Sequence, residues 1–136
     1  MNYEVFVEHV QRRADLPRTE AEGVSAVVLE TLGELLDAEQ RKQVAAQLPV
    51  ELKPLMARRR TDRIGLEEFY NRVRARADVG TPQAVAYSKA VAMTLQEALS
   101  PAEMDLLLSW LPHEYAELFN RSEPGPESLS RTGAGS

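Results

Sequence analysis

The sequence predicts an all-α protein, a helical bundle of two tandem, internally repeated units that each contain three helices plus one short helix. Three observations predict this class. Apolar residues recur with the 3.6-residue period of a helix, and no segment alternates with the period of two that a strand shows. Capping residues and prolines divide the chain into segments of helix length. The first half of the sequence also recurs in the second.

The repeat aligns residues 3–56 with residues 66–119 at a constant offset of 63 positions and without a gap. Of the 54 aligned positions, 17 are identical, whereas ordinary composition would give roughly 3 or 4. We call the two segments the first unit and the second unit. The identical pairs include Phe6/Phe69, Val10/Val73, Arg13/Arg76, Asp15/Asp78, Ser25/Ser88, Thr31/Thr94, Leu48/Leu111, Pro49/Pro112 and Glu51/Glu114.

The two units together are short enough to share one hydrophobic core, so we predict a single all-helical domain over residues 1–120. Residues 121–136 are rich in Gly, Pro and Ser, with Leu129 as their only large apolar residue. This composition predicts a disordered C-terminal tail. A short docking peptide centred on residues 127–131 is the alternative interpretation of the same segment.

The first helix of each unit is predicted from an apolar stripe with charged residues on the opposite face. The stripe comprises Phe6, Val7, Val10 and Ala14 in the first unit, and Phe69, Tyr70, Val73 and Ala77 in the second. We expect these two helices to end at Asp15 and Asp78.

The second helix of each unit is predicted to begin at a threonine. In the first unit, Thr19 is followed three residues later by Glu22, which is the pattern of a capping box. In the second unit, Thr81 precedes Pro82, and proline is favoured at the first helical position. We therefore expect Thr19 and Thr81 to be N-caps.

The third helix is predicted to begin at Asp37 in the first unit and at Ser100 in the second, where Glu103 would close a capping box. The Leu-Pro pairs at 48–49 and 111–112 end these helices, because a residue before proline is disfavoured in the α region. Proline favours the start of a new helix, so we expect short helices over 49–57 and 112–119.

Composition and charge exclude several classes of protein. The chain has no cysteine, which excludes disulfides and thiolate chemistry, and its net charge of −5 argues against generic nucleic-acid binding. The N-terminal segment carries Glu4 and Glu8 where a signal peptide needs an apolar core, and no apolar run approaches the ~18 residues of a membrane span. We expect a cytoplasmic protein that does not associate with membranes.

Four sequence elements carry a resemblance to a known family. They are the opening Y-x-x-F-x-x-x-V, the helix VLETLGELL, and the repeated segments QLPVEL and WLPHEY. Across residues 2–119 the chain resembles the bacterial domain-of-unknown-function 2267 family. The resemblance implies an all-helical bundle, and it implies no activity, cofactor or functional residue.

No motif for catalysis, cofactor binding or metal binding stands out from the sequence. His113 and Glu117 share a helical face, but a zinc site needs three or four ligands. His9 has no second ligand on its own face, so we interpret it, like His113, as a surface histidine. Ser25 and Ser88 are predicted in mid-helix as small packing residues and are not part of a G-x-S-x-G turn. We therefore predict no enzyme.

Charged residues that match between the units are interpreted as structural, because packing is needed in every unit and a catalytic centre only once. Glu34 and Glu97 lie near the C-terminal end of a helix, where the helix dipole disfavours a carboxylate. We expect an arginine partner for each of them. The matched charges, Arg13/Arg76, Glu34/Glu97 and Glu51/Glu114, are predicted to form ion pairs within each unit.

Seven of the 16 basic residues lie between positions 57 and 77, against three carboxylates, in a chain whose net charge is negative. Such a strip could bind an anion, nucleic-acid phosphate or an acidic partner. Its arginines could instead cap helix carbonyls and pair with the protein's own acidic faces. We call this set the arginine strip: Arg58, Arg59, Arg60, Arg63, Arg72, Arg74 and Arg76.

The units also differ, and at several positions a polar residue of the first unit becomes apolar in the second; four of these changes stand out. Glu22, Glu30, Gln43 and Gln47 correspond to Val85, Met93, Leu106 and Trp110. These side chains are either core against the other unit or an exposed patch for a partner or for self-association, with Trp110 as the anchor. From them we predict a non-enzymatic protein–protein interaction or scaffold module, with anion or nucleic-acid binding through the arginine strip as the alternative.

Overall fold

A computed structural model describes residues 1–57 and 62–121. Within these ranges the chain forms six α-helices and two 3₁₀ helices and no strand, so the all-α prediction is confirmed. The α-helices are α1 (Tyr3–Ala14), α2 (Arg18–Gly33), α3 (Ala38–Gln47), α4 (Leu66–Ala77), α5 (Thr81–Ala98) and α6 (Pro101–Trp110), and the 3₁₀ helices are Val50–Ala57 and His113–Ala116.

Two predictions lie wholly or mainly outside the described residues. Arg58, Arg59 and Arg60 of the arginine strip fall in the undescribed segment 58–61. All but the first residue of the predicted C-terminal tail falls in the undescribed segment 122–136. Within the residues that the structure describes, no helix combines the length and apolar character needed to cross a lipid bilayer.

The helices of the second half begin at the spacing of the sequence repeat. α1, α2 and α3 start at Tyr3, Arg18 and Ala38, and α4, α5 and α6 each start 63 residues later. Asp15 and Asp78 end α1 and α4 as predicted, both in the left-handed conformation at φ 57° and 58°. The aspartates tolerate this conformation because their short polar side chains reduce its cost.

The predicted N-caps Thr19 and Thr81 are wrong. α2 begins at Arg18 after an extended Pro17, and α5 begins at Thr81 after an extended Gly80, and neither of these cap residues makes a side-chain cap. Proline already fixes φ near −65°, and glycine is tolerated at an N-cap, so each helix starts one residue or more before the expected position. Glu22 accepts a hydrogen bond from Arg18 at 3.2 Å instead of closing a capping box.

The predicted starts of the third helices are confirmed. Asp37 and Gln40 form a reciprocal capping box, and the Ser100 hydroxyl accepts from the Glu103 N–H at 3.2 Å. The predicted short helices appear as 3₁₀ helices, and the second ends at Ala116, earlier than expected. The chain turns there, which buries Leu118 and Phe119 against the core.

α2 and α5 form the centre of the bundle, and α1 and α4 each pack against both of them. One continuous hydrophobic cluster includes residues from both halves, among them the fully buried Phe6 and Phe69. Ser25 on α2 and Ser88 on α5 are fully buried, and their hydroxyls have no hydrogen-bond partner among the described residues. They therefore occupy these positions as small side chains that let helices pack closely.

The Leu-Pro-x-Glu segment of the second half holds the start of α4. The Leu66 N–H donates to Glu114 Oε2 at 2.5 Å, and the Tyr115 hydroxyl donates to the Ile64 carbonyl at 2.9 Å. A Cβ at Gly65 would lie 2.7 Å from Glu114 Oε2, so a larger residue there would displace this carboxylate. The predicted ion pair of Glu114 is wrong: its carboxylate caps a helix, since an N-terminal N–H has no intrahelical acceptor.

We predict that Glu114→Ala lowers the free energy of unfolding by about 1 kcal/mol, because the Leu66 N–H loses a charged acceptor. The matched control is Glu51→Ala in the first half. Its effect should be smaller because Asn2 already caps α1 through the Val5 N–H at 2.9 Å. Urea unfolding of both variants measures the difference, and equal losses would contradict this assignment of Glu114.

Candidate interaction surface

Two clusters of arginine and glutamate join the first half of the chain to the second. In one cluster, Arg13 of α1 donates to both carboxylate oxygens of Glu97 on α5, at 3.0 and 2.7 Å. The same guanidinium donates to the Thr94 hydroxyl at 2.8 Å. Such a two-pronged pair fixes the angle as well as the distance between the helices.

The second cluster makes the corresponding contacts with the two halves exchanged: its arginine comes from the second half of the chain and its glutamate from the first. Arg76 of α4 lies 2.8 Å from Glu34 Oε2 and donates to the Thr31 hydroxyl of α2 at 3.0 Å. The prediction that these charges pair within each unit is therefore wrong, although the predicted arginine partners are present. The reason is that α1 packs on α5 as well as on α2, and α4 packs on α2 as well as on α5.

The two clusters differ in burial and in the additional side chain that contacts the glutamate. The Glu34 side chain is 2% exposed, whereas that of Glu97 is 39% exposed. Arg72 lies 3.1 Å from Glu34, and His9 Nδ1 lies 2.7 Å from Glu97. The interpretation of His9 as an isolated surface histidine is wrong, because folding brings it beside a carboxylate that is 88 residues away in sequence.

The hydrogen bonds from Arg13 lower the pKa of Glu97 to about 2, and His9 contributes in the same direction. A cation close to a carboxylate favours its charged form, and here this effect outweighs the opposing effect of burial. Glu97 therefore stays ionised at any pH at which the protein is expected to work.

Most described members of the arginine strip are bound to the protein itself. Arg63 donates to the Trp110 carbonyl at the end of α6, at 2.9 Å. Arg72 contacts Asp62 and Glu68 in addition to Glu34, at 2.9 and 3.2 Å. Arg76 lies in the second cluster, and Arg74 is exposed. The described part of the strip, Arg63 to Arg76, is therefore largely part of the packing between helices.

Neither histidine lies in a metal-binding arrangement of described residues. His113 is exposed at the start of the second 3₁₀ helix, and Glu117 lies 3.8 Å from Lys89. Across residues 1–57 and 62–121, no group of three or more His, Asp or Glu side chains could hold a metal ion.

The four residues Val85, Met93, Leu106 and Trp110, which replace polar residues of the first half, lie on two helices. Val85 and Met93 are half-buried on α5. On α6, Leu106 is 43% exposed, and Trp110 is half-buried and packs against the core. Leu106 and Trp110 are one helical turn apart on the same side of α6. We call this pair the α6 patch.

Charged side chains of both signs lie around α6. Glu103 and Asp105 lie in its first half, where Asp105 is 3.4 Å from the Arg121 guanidinium, and Arg63 binds the carbonyl of its last residue. A groove of about 510 Å³ runs beside this end of α6, and Arg121 forms part of its lining. Asp105, Arg63 and Arg121 thus line the same groove, so acidic and basic side chains are mixed on this side of α6.

Sequence reasoning identified Leu106 and Trp110 from the difference between the units, but it missed the contact that fixes the end of α6. The missing contact is that between Arg63 and the Trp110 carbonyl, which joins residues 47 positions apart. It also missed the role of His9, although His9 and Arg72 correspond at the offset of 63 and both side chains carry nitrogen atoms that can bind a carboxylate. That correspondence was the signal that could have placed His9 beside Glu97.

One family model matches the chain over residues 3–118, and its description is "Uncharacterized conserved protein (DUF2267)". The match includes all six α-helices and both arginine–glutamate clusters. No curated protein matches the chain.

We predict that Glu34→Gln destabilises the fold more than Glu97→Gln. The first change removes a buried charge between Arg72 and Arg76 and should cost about 2 kcal/mol. The second affects a more exposed pair and should cost at most about 1 kcal/mol. Urea unfolding at pH 7 compares the two, and a larger loss for Glu97→Gln would show that burial does not set the strength of the clusters.

A second prediction concerns pH. The pKa of Glu97 in the folded protein is about 2, below its ordinary value of 4.5. The stabilisation is therefore complete above pH ~4.5 and is lost as the pH falls towards 2. The difference in unfolding free energy between wild type and Glu97→Gln should shrink by up to about 1 kcal/mol between pH 7 and pH 2.5.

The control for this pH dependence is the Arg13→Gln background. Without the Arg13 guanidinium the main cause of the lowered pKa is absent, so Glu97→Gln should change the pH profile much less. An unchanged pH dependence in that background would contradict the assignment of the pKa shift to Arg13.

Proposed function

The chain belongs to the family described as Uncharacterized conserved protein (DUF2267), a description that names no activity, and we propose a function from the structure. The protein is a non-enzymatic protein–protein interaction module of the bacterial cytoplasm, and it binds its partner through the α6 patch.

The exposure of Leu106 beside Trp110 is the observation that carries the proposal. Single exposed apolar residues are ordinary on protein surfaces. Here the exposed leucine lies one turn from a half-buried tryptophan, and tryptophan is enriched among the residues that dominate binding energy. Because Trp110 packs partly on the core, it would be held in place before a partner binds, which reduces the entropy cost of binding.

We also propose that the chain is a single domain of two tandem units, residues 3–56 and 66–119. The equal spacing of the helix starts supports this, as do the reciprocal contacts of Arg13 with Glu97 and Arg76 with Glu34. On this proposal, features present in both units serve packing. The α6 patch is present only in the second unit, since α3 carries the exposed Gln43 and Gln47 at the corresponding positions.

Anion or nucleic-acid binding through the arginine strip is the second candidate. It needs guanidinium donors that are free to bind phosphate, and Arg63, Arg72 and Arg76 already donate to acceptors of the protein. Nucleic-acid binding through the strip would show an affinity that falls steeply with added salt. The absence of salt-sensitive binding at low ionic strength would exclude it.

Site-specific photo-cross-linking tests the α6 patch. A photoreactive phenylalanine derivative in place of Leu106 should give a cross-linked adduct in the cells of the native host. The matched control carries the same group in place of Gln43, the corresponding exposed residue on α3. We expect adducts from position 106 and not from position 43. Equal adducts from both positions, or none from 106, would contradict the proposal.

A further inference from the structure

We propose that the groove between α2, α5 and the end of α4 binds a small amphipathic amine, a molecule with an apolar body and one ammonium group. We call it the α2–α5 groove. The proposal goes beyond the proposed function, because no residue of α6 lines this groove. Its failure would therefore leave the proposal for the α6 patch untouched.

The α2–α5 groove has the size and the walls of a small-molecule site. Its volume is about 470 Å³, and proteins bind small ligands in pockets of roughly 300–1,000 Å³. Its apolar lining comprises Leu16, Val24, Val27, Val79 and Tyr87. These side chains belong to the hydrophobic core or pack against it, so the walls are held in place before a ligand enters. A preformed wall reduces the entropy cost of binding.

Gly23 also lines the groove, and packing within the chain does not explain its lack of a side chain. It lies inside α2, where glycine is less favourable than alanine. A Cβ at Gly33 of the same helix would lie 3.4 Å from Met56 Sδ, whereas a Cβ at Gly23 would meet no described atom within 4 Å. α5 carries Ala86 at the corresponding position. Gly23 thus keeps the groove open, as expected where a ligand approaches the backbone.

The charged side chains of the groove favour a cation over an anion. Glu20 is exposed, lines the groove and pairs with no other described residue. The Arg76 guanidinium lines it too, but it lies 2.8 Å from Glu34 and donates to the Thr31 hydroxyl at 3.0 Å. An anionic ligand would have to compete with Glu34 for Arg76. An ammonium group meets the unpaired carboxylate of Glu20 without such competition.

Tyr87 supplies a second polar group to the groove. Its ring packs against the core, and its hydroxyl makes no hydrogen bond to a described residue. The first half has Val24 at the corresponding position, and the second half has Gln83 in place of Glu20. The hydroxyl and the carboxylate are therefore not what packing requires in both halves. Both groups can accept a hydrogen bond from an ammonium group, which has three N–H donors.

Heteronuclear NMR on the isotope-labelled full-length chain tests the proposal, with phenethylamine as the probe. The amide signal of Gly23 should shift until the site is saturated. Phenethyl alcohol and hydrocinnamate carry the same ring with a neutral and an anionic group. The amine should bind about fivefold more tightly than the alcohol, as expected for an exposed ion pair. No saturable shift at Gly23, or binding of hydrocinnamate as tight as that of the amine, would overturn the proposal.

Glu20→Gln tests the selection of the cation. This variant should bind phenethylamine no more tightly than phenethyl alcohol, and its affinity for the alcohol should not change. The matched control is Glu39→Gln, because Glu39 is an exposed carboxylate in the first turn of α3, as Glu20 is in the first turn of α2. The control should keep the preference for the amine. An equal loss in both variants would show that net charge sets the preference and would overturn the role of Glu20.

Gly23→Leu tests the location of the site by filling the groove. The variant should remain folded, because a Cβ at this position meets no described atom and leucine is favoured in a helix over glycine. Circular dichroism during thermal unfolding verifies this. The amide signal of Tyr87 then reports binding, which should weaken at least tenfold for the amine and the alcohol. The control Ala86→Leu changes the corresponding exposed residue of α5, which does not line the groove, and should bind as the wild type does. Unchanged binding by a folded Gly23→Leu chain would overturn the proposal.

Discussion

The burial of Glu34 constrains how the two halves of the chain pack. A carboxylate that is 2% exposed is stable in its charged form only when cations lie against it. The two arginines that contact Glu34, Arg72 and Arg76, both lie on α4 in the other half of the chain. α4 must therefore lie along α2 at a fixed angle. Arg13 imposes the same condition on α1 and α5 through Glu97, so α2 and α5 are held together from both sides.

This arrangement determines what α6 can expose. α6 buries Met104 and Leu107 against the core, and its end is fixed by the hydrogen bond from Arg63 to the Trp110 carbonyl. The buried side of α6 is thus already packed within the chain, and Leu106 is left exposed on the outer side. Because Trp110 packs partly on the core, the α6 patch lies on a rigid base. A rigid apolar surface loses little conformational entropy when a partner covers it.

The sequence predicted features that depend on nearby residues and failed for those that depend on distant ones. Asp15, Asp78 and Asp37 were located correctly because a cap involves residues three or four positions apart. The prediction of Thr19 as an N-cap also depends on nearby residues, yet it was wrong. Pro17 starts α2 earlier than the predicted capping box would. The pairing of Arg13 with Glu97 spans 84 residues, and no local pattern shows which copy of a matched glutamate an arginine reaches.

The difference between α3 and α6 also bears on how a duplicated chain would assemble. If both helices carried an apolar patch, each chain would offer two similar binding surfaces. Contacts of one helix with the other helix of the next chain would then extend without closing, which produces fibres and not a defined oligomer. The glutamines Gln40, Gln43 and Gln47 leave α3 polar. Because α6 carries the apolar patch and α3 does not, each chain offers one such surface, and a partner that binds it meets one site and not two.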